Sequence, residues 1–180
     1  MMEEPVAAAG TAAAVGKWEW KMDGSLNVGW TAGDKDRSKL ALFDMDDTLI
    51  RTKSGKTFAT DHKDWLFWHD KVPQRMRETA AQGYRVVIVS NQNGVAKGHV
   101  TVDTLRKKVE MFSKDFGIEM SAVMATQDDA FRKPLPGMWK YIETSLNKMP
   151  ISKQDSFFVG DAAGRPKRDG KDKDFSSGDM

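Results

Sequence analysis

Residues 40–48, Leu40-Ala41-Leu42-Phe43-Asp44-Met45-Asp46-Asp47-Thr48, set four apolar side chains directly before a run of acids and a hydroxyl. A short unbroken apolar run is what a strand buried on both faces requires. The acids would then stand just past the strand's carboxyl end, where open sheets of parallel strands bind their ligands. Three further segments repeat the arrangement. Arg85-Val86-Val87-Ile88-Val89-Ser90 leads into Asn91-Gln92, Met120 to Thr126 is followed by Arg132-Lys133-Pro134, and Ser156-Phe157-Phe158-Val159 runs into Gly160-Asp161.

Helical patterns separate these strands. Pro73 suits the first turn of a helix over 73–82 and Gly83 its end. Thr101 is placed to cap a second, whose apolar face is Val102, Leu105, Val109, Phe112 and Phe116, spaced by threes and fours. Met138, Ile142, Leu146 and Met149 mark a third. Strands alternating with helices imply an α/β fold: a three-layer, Rossmann-like sandwich around a parallel sheet. Residues 49–72 read as a long flap. Upstream, Trp18 to Trp30 reads as a hairpin around Asp23-Gly24, within a small N-terminal extension over 17–38. The alanine-rich stretch 1–16 reads as a disordered leader, and 39–180 as the main domain.

Composition narrows the function. The 180 residues contain no cysteine, which excludes disulfides, thiolate zinc sites and a cysteine nucleophile. His62, His69 and His99 lack metal-ligand spacing. No apolar run reaches the roughly 20 residues of a membrane helix, and no secretory or organelle signal is recognisable. A net charge of +2 is weak, although residues 165–174 concentrate Arg165, Lys167, Arg168, Lys171 and Lys173 among three aspartates. Ser54-Gly55-Lys56-Thr57 looks like the end of a phosphate-binding P-loop, but Ile50 stands where that motif needs its first glycine. No kinase activity is therefore expected, and the segment reads as a substrate loop or a solvated one. Trp65 and Trp68, in the flap, read first as core and otherwise as platforms for the bases of a single-stranded end, and Met138 and Trp139 read as core.

The polar residues at the strand ends suit phosphate ester chemistry. A carboxylate attacks an anionic monoester only when cations neutralise both partners. Mg²⁺ prefers a few carboxylates together with phosphate and water, and Asp44 and Asp161, on different strands, can bracket such an ion. A lysine and a hydroxyl can cover the other phosphoryl oxygens. Asp46, two residues past Asp44, can protonate the leaving oxygen and later activate water.

Asp44-x-Asp46-x-Thr48, Ser90, Lys133 and Gly160-Asp161, in this order, resemble the motifs of the haloacid dehalogenase superfamily. The strings FDMDDTLIRTKSGKTF, VIVSNQNGVAKG, RKPLPGMW and VGDAAGRPKRDGKDKDFS resemble more narrowly the 3′-phosphatase domain of the polynucleotide kinase 3′-phosphatases. Asp47 departs from that family, which usually has glycine there. The resemblance implies Asp44 as nucleophile and Asp46 as acid/base, with Asp161 and the Asp46 carbonyl helping to hold Mg²⁺. It places Thr48, Ser90 and Lys133 at the phosphoryl group, Asn91 and Gln92 toward substrate, and Arg165 in support. Family members continue with another strand, so this domain is expected to be cut short after its fourth core strand, with an open apolar sheet edge.

The expected function is removal of 3′-phosphates from DNA termini in strand-break repair, by a monomer in the nucleus and possibly the mitochondrion, alongside DNA-repair proteins. Two alternatives remain open on sequence. One is a phosphatase of sugar or histidinol phosphates, whose enzymes often carry a zinc loop that is absent here. The other is a truncated, non-catalytic module binding DNA ends or protein.

Overall fold

The computed structural model describes residues 14–162 and Asp179. Among these, six strands form one sheet in the order β1-β2-β7-β6-β3-β8, with β1 Trp18–Asp23, β2 Leu26–Thr31, β3 Leu40–Phe43, β6 Arg85–Asn91, β7 Met120–Ala125 and β8 Phe157–Val159. The pairs β7/β6, β6/β3 and β3/β8 are parallel. Two short strands, β4 (Ile50–Arg51) and β5 (Leu66–Phe67), pair separately and close the base of the flap.

Period-two alternation sorts the strand side chains into two cores. Ala41, Phe43, Val86, Ile88, Met120, Ala122 and Met124 point to one face. There they meet Met76 of α1 (Val72–Ala81) and Leu105, Val109 and Phe112 of α2 (Val102–Ser113). Leu40, Leu42, Val87, Val89, Val123 and Ala125 point to the other, onto Met138 and Ile142. This is the expected three-layer sandwich. Thr101 caps α2, its Oγ1 accepting from the Thr104 N–H at 3.1 Å. A cap of this kind satisfies one of the donors that a helix start leaves unpaired. Phe116 lies past the end of α2, yet is fully buried against Phe112 and Phe67.

The hairpin does more than stand beside the domain. Its two-residue turn, Gly24-Ser25, uses the positive φ (58°) of Gly24. Strand β2 pairs antiparallel with β7 from Leu26↔Ala125 to Trp30↔Ser121 and is buried along nearly its whole length. Trp18 and Trp20 stack at 4.9 Å and donate their ring N–H groups to Ser113 and Glu110.

The third helix differs from its periodicity. Helix α3 spans Gly137–Tyr141, continues as one π-helical turn over Ile142–Leu146, and stops before Met149. Asn147 ends it because its side chain is committed elsewhere. It accepts from the Arg37 N–H and the Arg85 guanidinium and donates to the Arg37 and Met149 carbonyls. At the β8 edge, Phe157 and Val159 remain 39% and 40% exposed.

Candidate functional site

The carboxyl ends of β3, β6 and β8 and the loop after β7 converge on one cleft. Asp44 follows β3 directly, and its backbone N–H donates to the Val159 carbonyl at 2.9 Å, tying it to β8. The chain then turns tightly. The N–H groups of Leu49 and Ile50 return to the Met45 carbonyl at 2.9 and 3.1 Å, and Asp47 N–H donates to Ile50 O at 2.7 Å. The turn forces Asp47 to a φ of 57°, a left-handed conformation where glycine is least strained. This is the position where the sequence carries aspartate against the expected glycine.

Asp44 is 91% buried by accessible area, since only 9% remains exposed. Its Oδ1 lies 3.3 Å from the Lys133 ammonium but has no partner with hydrogen-bond geometry. Burial pushes the Asp44 carboxyl up to about 7; Lys133 pulls it down, and the charges of Asp179 and Asp46 push it further up. Burial also raises Asp161, with help from the charges of Asp179 and Asp47. Carboxylates gathered this closely repel one another, and a cation among them favours the ionised forms.

Lys133 sits between acids. Its ammonium pairs with Asp44 on one side and with Asp179 in a very short contact on the other, and it lies 4.8 Å from the centre of the Phe158 ring. Asp179 is anchored in turn: its Oδ2 accepts from the Ala162 N–H at 2.8 Å, and its own N–H donates to the Ala162 carbonyl at 2.8 Å. Its carboxylate fills the space above Gly160, so any side chain at position 160 would collide with it.

The end of β6 contributes three consecutive side chains. Ser90 is buried and accepts from Gln92 Nε2 at 3.0 Å. Gln92 Nε2 also donates to Asp46 Oδ2 at 2.7 Å, so one amide joins the β6 end to the turn after β3. Asn91 faces Lys133: its Oδ1 accepts from the Lys133 N–H at 2.8 Å and its Nδ2 donates to the Lys133 carbonyl at 3.0 Å. Its amide is thus engaged with protein backbone, where the sequence reading aimed it at substrate. Thr48 Oγ1 is buried without a hydrogen-bond partner among the described residues.

The donor set fits a divalent cation. Asp44, Asp161 and Asp179 each offer a carboxylate oxygen, all within 4.8 Å of one another. Asp44 also carries a buried carboxylate oxygen, Oδ1, that has no hydrogen bond among the described residues. Hard oxygen donors of this kind suit Mg²⁺.

Of the residues singled out in the sequence, Asp44, Asp46, Ser90, Asn91, Gln92, Lys133 and Asp161 come together here. Arg165 and the basic run around it lie outside the described residues, as do residues 1–13 of the leader. Asp179 was missed. It lies 18 positions beyond Asp161 (179 − 161), with no fixed spacing to point to it. In the flap, the Asp64 carboxylate accepts from the N–H groups of Ser54 (2.7 Å) and Thr60 (2.9 Å) and from both hydroxyls, so Ser54-Gly55-Lys56-Thr57 is a pinned surface loop. Trp65 packs on Phe112, as core, whereas Trp68 is 51% exposed, against its reading as core.

Comparison with known proteins agrees with this geometry. A family model described as polynucleotide kinase 3 phosphatase matches residues 39–180. The bifunctional polynucleotide phosphatase/kinase of Schizosaccharomyces pombe is 35% identical over 148 residues, covering 82% of this chain and 36% of that protein. The polynucleotide 3′-phosphatase ZDP of Arabidopsis thaliana is 31% identical over 158 residues, covering 79% of this chain and 22% of that protein. The chain therefore spans well under half the length of either relative. A HAD-like protein of Mesorhizobium loti superposes with a TM-score of 0.65 at 18% identity, over 78% of this chain and 72% of that one, which shows the haloacid dehalogenase-like fold.

Proposed function

The chain belongs to the polynucleotide kinase 3 phosphatase family, and from that premise we propose that it removes 3′-phosphates from DNA ends by aspartyl-phosphate chemistry with Mg²⁺. The observation that carries the reading is the convergence of Asp44, Asp46, Ser90 and Lys133 at the strand ends, with the Lys133 ammonium 3.3 Å from the Asp44 carboxylate. The names of the yeast and plant relatives point to a polynucleotide as the substrate class.

Asp44 and Asp161 hold the cation in this reading, with Asp179 beside them and the Asp46 carbonyl contributing. When bound, Mg²⁺ supplies positive charge to the phosphoryl oxygens and to the crowded carboxylates. Lys133, Ser90 and Thr48 bind the phosphoryl group. A carboxylate oxygen of Asp44 attacks phosphorus; the bond from phosphorus to the sugar O3′ breaks, and Asp46 gives that oxygen its proton, leaving a 3′-hydroxyl. Asp46, now a carboxylate, takes a proton from water as the water attacks the phosphorus. The bond from phosphorus to Asp44 breaks, inorganic phosphate leaves, and both aspartates return to their starting forms. Gln92, at 2.7 Å from Asp46, fixes that carboxylate at the cleft mouth. Action at DNA ends implies work alongside repair proteins in the nucleus; among the described residues no helix is long and apolar enough to cross a membrane.

The test is phosphate release from a 3′-phosphorylated DNA oligonucleotide, with a 5′-phosphorylated oligonucleotide and a small phosphate ester alongside. Selective 3′ release supports the reading. Turnover of the small ester alone contradicts it and favours a metabolite phosphatase.

A further inference from the structure

Lys133 is held from two ends, and only one of them was expected. Its ammonium reaches into the cleft between Asp44 and Asp179. Its backbone lies in the irregular segment between β7 and α3, and there the Asn91 side chain closes a ring with it. Oδ1 accepts from the Lys133 N–H at 2.8 Å and Nδ2 donates to the Lys133 carbonyl at 3.0 Å. A single primary amide thereby satisfies both backbone polar groups of one residue, as a neighbouring strand would.

The other backbone bonds around Lys133 are local, while the Asp129 side chain also accepts from the Ser25 hydroxyl of the hairpin turn in a very short contact. Arg132 N–H returns to the Asp129 carbonyl at 3.0 Å, Leu135 N–H to the Arg132 carbonyl at 2.9 Å, and Phe131 N–H to the Asp129 side chain at 2.9 Å. Pro134 has no N–H to offer. Asn91, the last residue of β6, thus ties the Lys133 backbone directly to the sheet. A lysine carries its charge on a flexible four-carbon stem, so the ammonium is only as well placed as the backbone that carries it. Misplacement of a catalytic group by about 1 Å can cost roughly 100-fold in rate.

We propose that Asn91 is a positioning residue, whose amide locks the Lys133 backbone so that the ammonium faces Asp44 and the phosphoryl group, and that it does not itself contact substrate. The proposal rests on the phosphatase reading for the role of Lys133, but the Asn91–Lys133 contact is independent of whether the ester comes from DNA.

The test is a double-mutant cycle read by binding. Inorganic phosphate is titrated calorimetrically, with Mg²⁺ present, into the full chain and its N91A, K133A and N91A/K133A variants, each checked by a thermal melt. Residues acting through one contact are non-additive. N91A should weaken phosphate binding by about tenfold, the loss of roughly 1.4 kcal/mol, but by less than twofold when Lys133 is already alanine. N91D keeps the acceptor for the Lys133 N–H and loses the donor to its carbonyl; it should fall between wild type and N91A, and it carries the cycle if N91A does not fold. Equal losses in both backgrounds would mean that Asn91 acts on phosphate directly and would overturn the proposal. So would wild-type affinity in N91A, or a wild-type chain that binds no phosphate. A wild-type chain that binds phosphate but leaves 3′-phosphorylated DNA intact contradicts the DNA reading alone, and the cycle still decides the role of Asn91.

Discussion

Replacing Arg85 by methionine removes the most heavily bonded side chain among the described residues at a place remote from the chemistry. Arg85 opens β6 and its side chain is 5% exposed. The guanidinium donates to Asp34 (3.0 Å from Nε), Asp36 (3.0 Å), the Leu146 carbonyl (2.9 Å), Asn147 (3.0 Å) and Ser121 (3.1 Å). It thus joins the linker before β3 to the end of the third helix and to β7. Methionine keeps much of the volume but leaves the Asp34 carboxylate, 3% exposed, buried without its counter-charge. Removing one partner of a buried ion pair costs about 3–5 kcal/mol. For a domain of this size 1 kcal/mol shifts the melting temperature by roughly 2–4 °C, so the melt should fall by about 6–20 °C. Ser90, at the other end of β6, is five residues away, about 16 Å at strand rise. Below its melting transition the variant should therefore keep kcat within about twofold. A second change, Asp34→Asn, should recover part of the loss by removing the stranded charge. A calorimetric melt and a phosphatase assay at low temperature test both halves. A melt within 2 °C of wild type, or a folded variant with lost activity, would refute the reasoning.

Three smaller perturbations probe the site and its flap. Gln92→Leu removes the donor to Asp46 and should lower kcat about tenfold in steady-state assays, since a hydrogen bond to a charged group contributes roughly 1.5–3 kcal/mol; an unchanged kcat would remove Gln92 from the machinery. Asp47→Gly relieves the φ of 57°, and the left-handed strain of about 1–2 kcal/mol outweighs the added chain entropy of about 0.5–1 kcal/mol. Its melt should rise by a few degrees, and a lower melt would show that the Asp47 side chain is needed. Four hydrogen bonds hold the Asp64 carboxyl well below the usual range. Its folded form thus favours the charged state, and the stabilisation is complete above the unfolded value of roughly 3.9. Amide protection of Ser54 and Thr60 should hold at pH 5 and be lost progressively below about pH 4, while Asp64→Ala lacks it at both; protection indifferent to pH would contradict this.

How much of this was legible follows from what each signal encodes. Leu40 to Phe43 and Val86 to Val89 announce buried strands because burial on both faces leaves no polar position, and the acids after them stand where chain direction puts them. The site residues on those strand ends, Asp44 and Ser90, share that legibility, and Asp161 was read in the same way from the apolar run before it. Asn91 was visible as a residue but not in its orientation, because only the fold decides whether an amide turns to the cleft or to the neighbouring loop. Asp179 was invisible, since it reaches the site by a return of the chain and not by a periodic spacing. The third helix was read past its end for a related reason. Met149 continues the apolar period, but the side-chain bonds of Asn147 to Arg37, Arg85 and Met149 end the helix first. The hairpin turn was read from Asp23-Gly24, whereas the antiparallel pairing of β2 with β7 is a long-range choice that no local pattern records.

The most direct test of the central claim follows phosphate release from a 3′-phosphorylated DNA oligonucleotide by the wild-type chain and by its Asp44→Asn variant, with Mg²⁺ and with a chelator. The account predicts release by the wild type with Mg²⁺, and loss of at least about a thousandfold in Asp44→Asn, since an amide cannot supply the attacking carboxylate oxygen. Release that persists undiminished in Asp44→Asn would contradict the account.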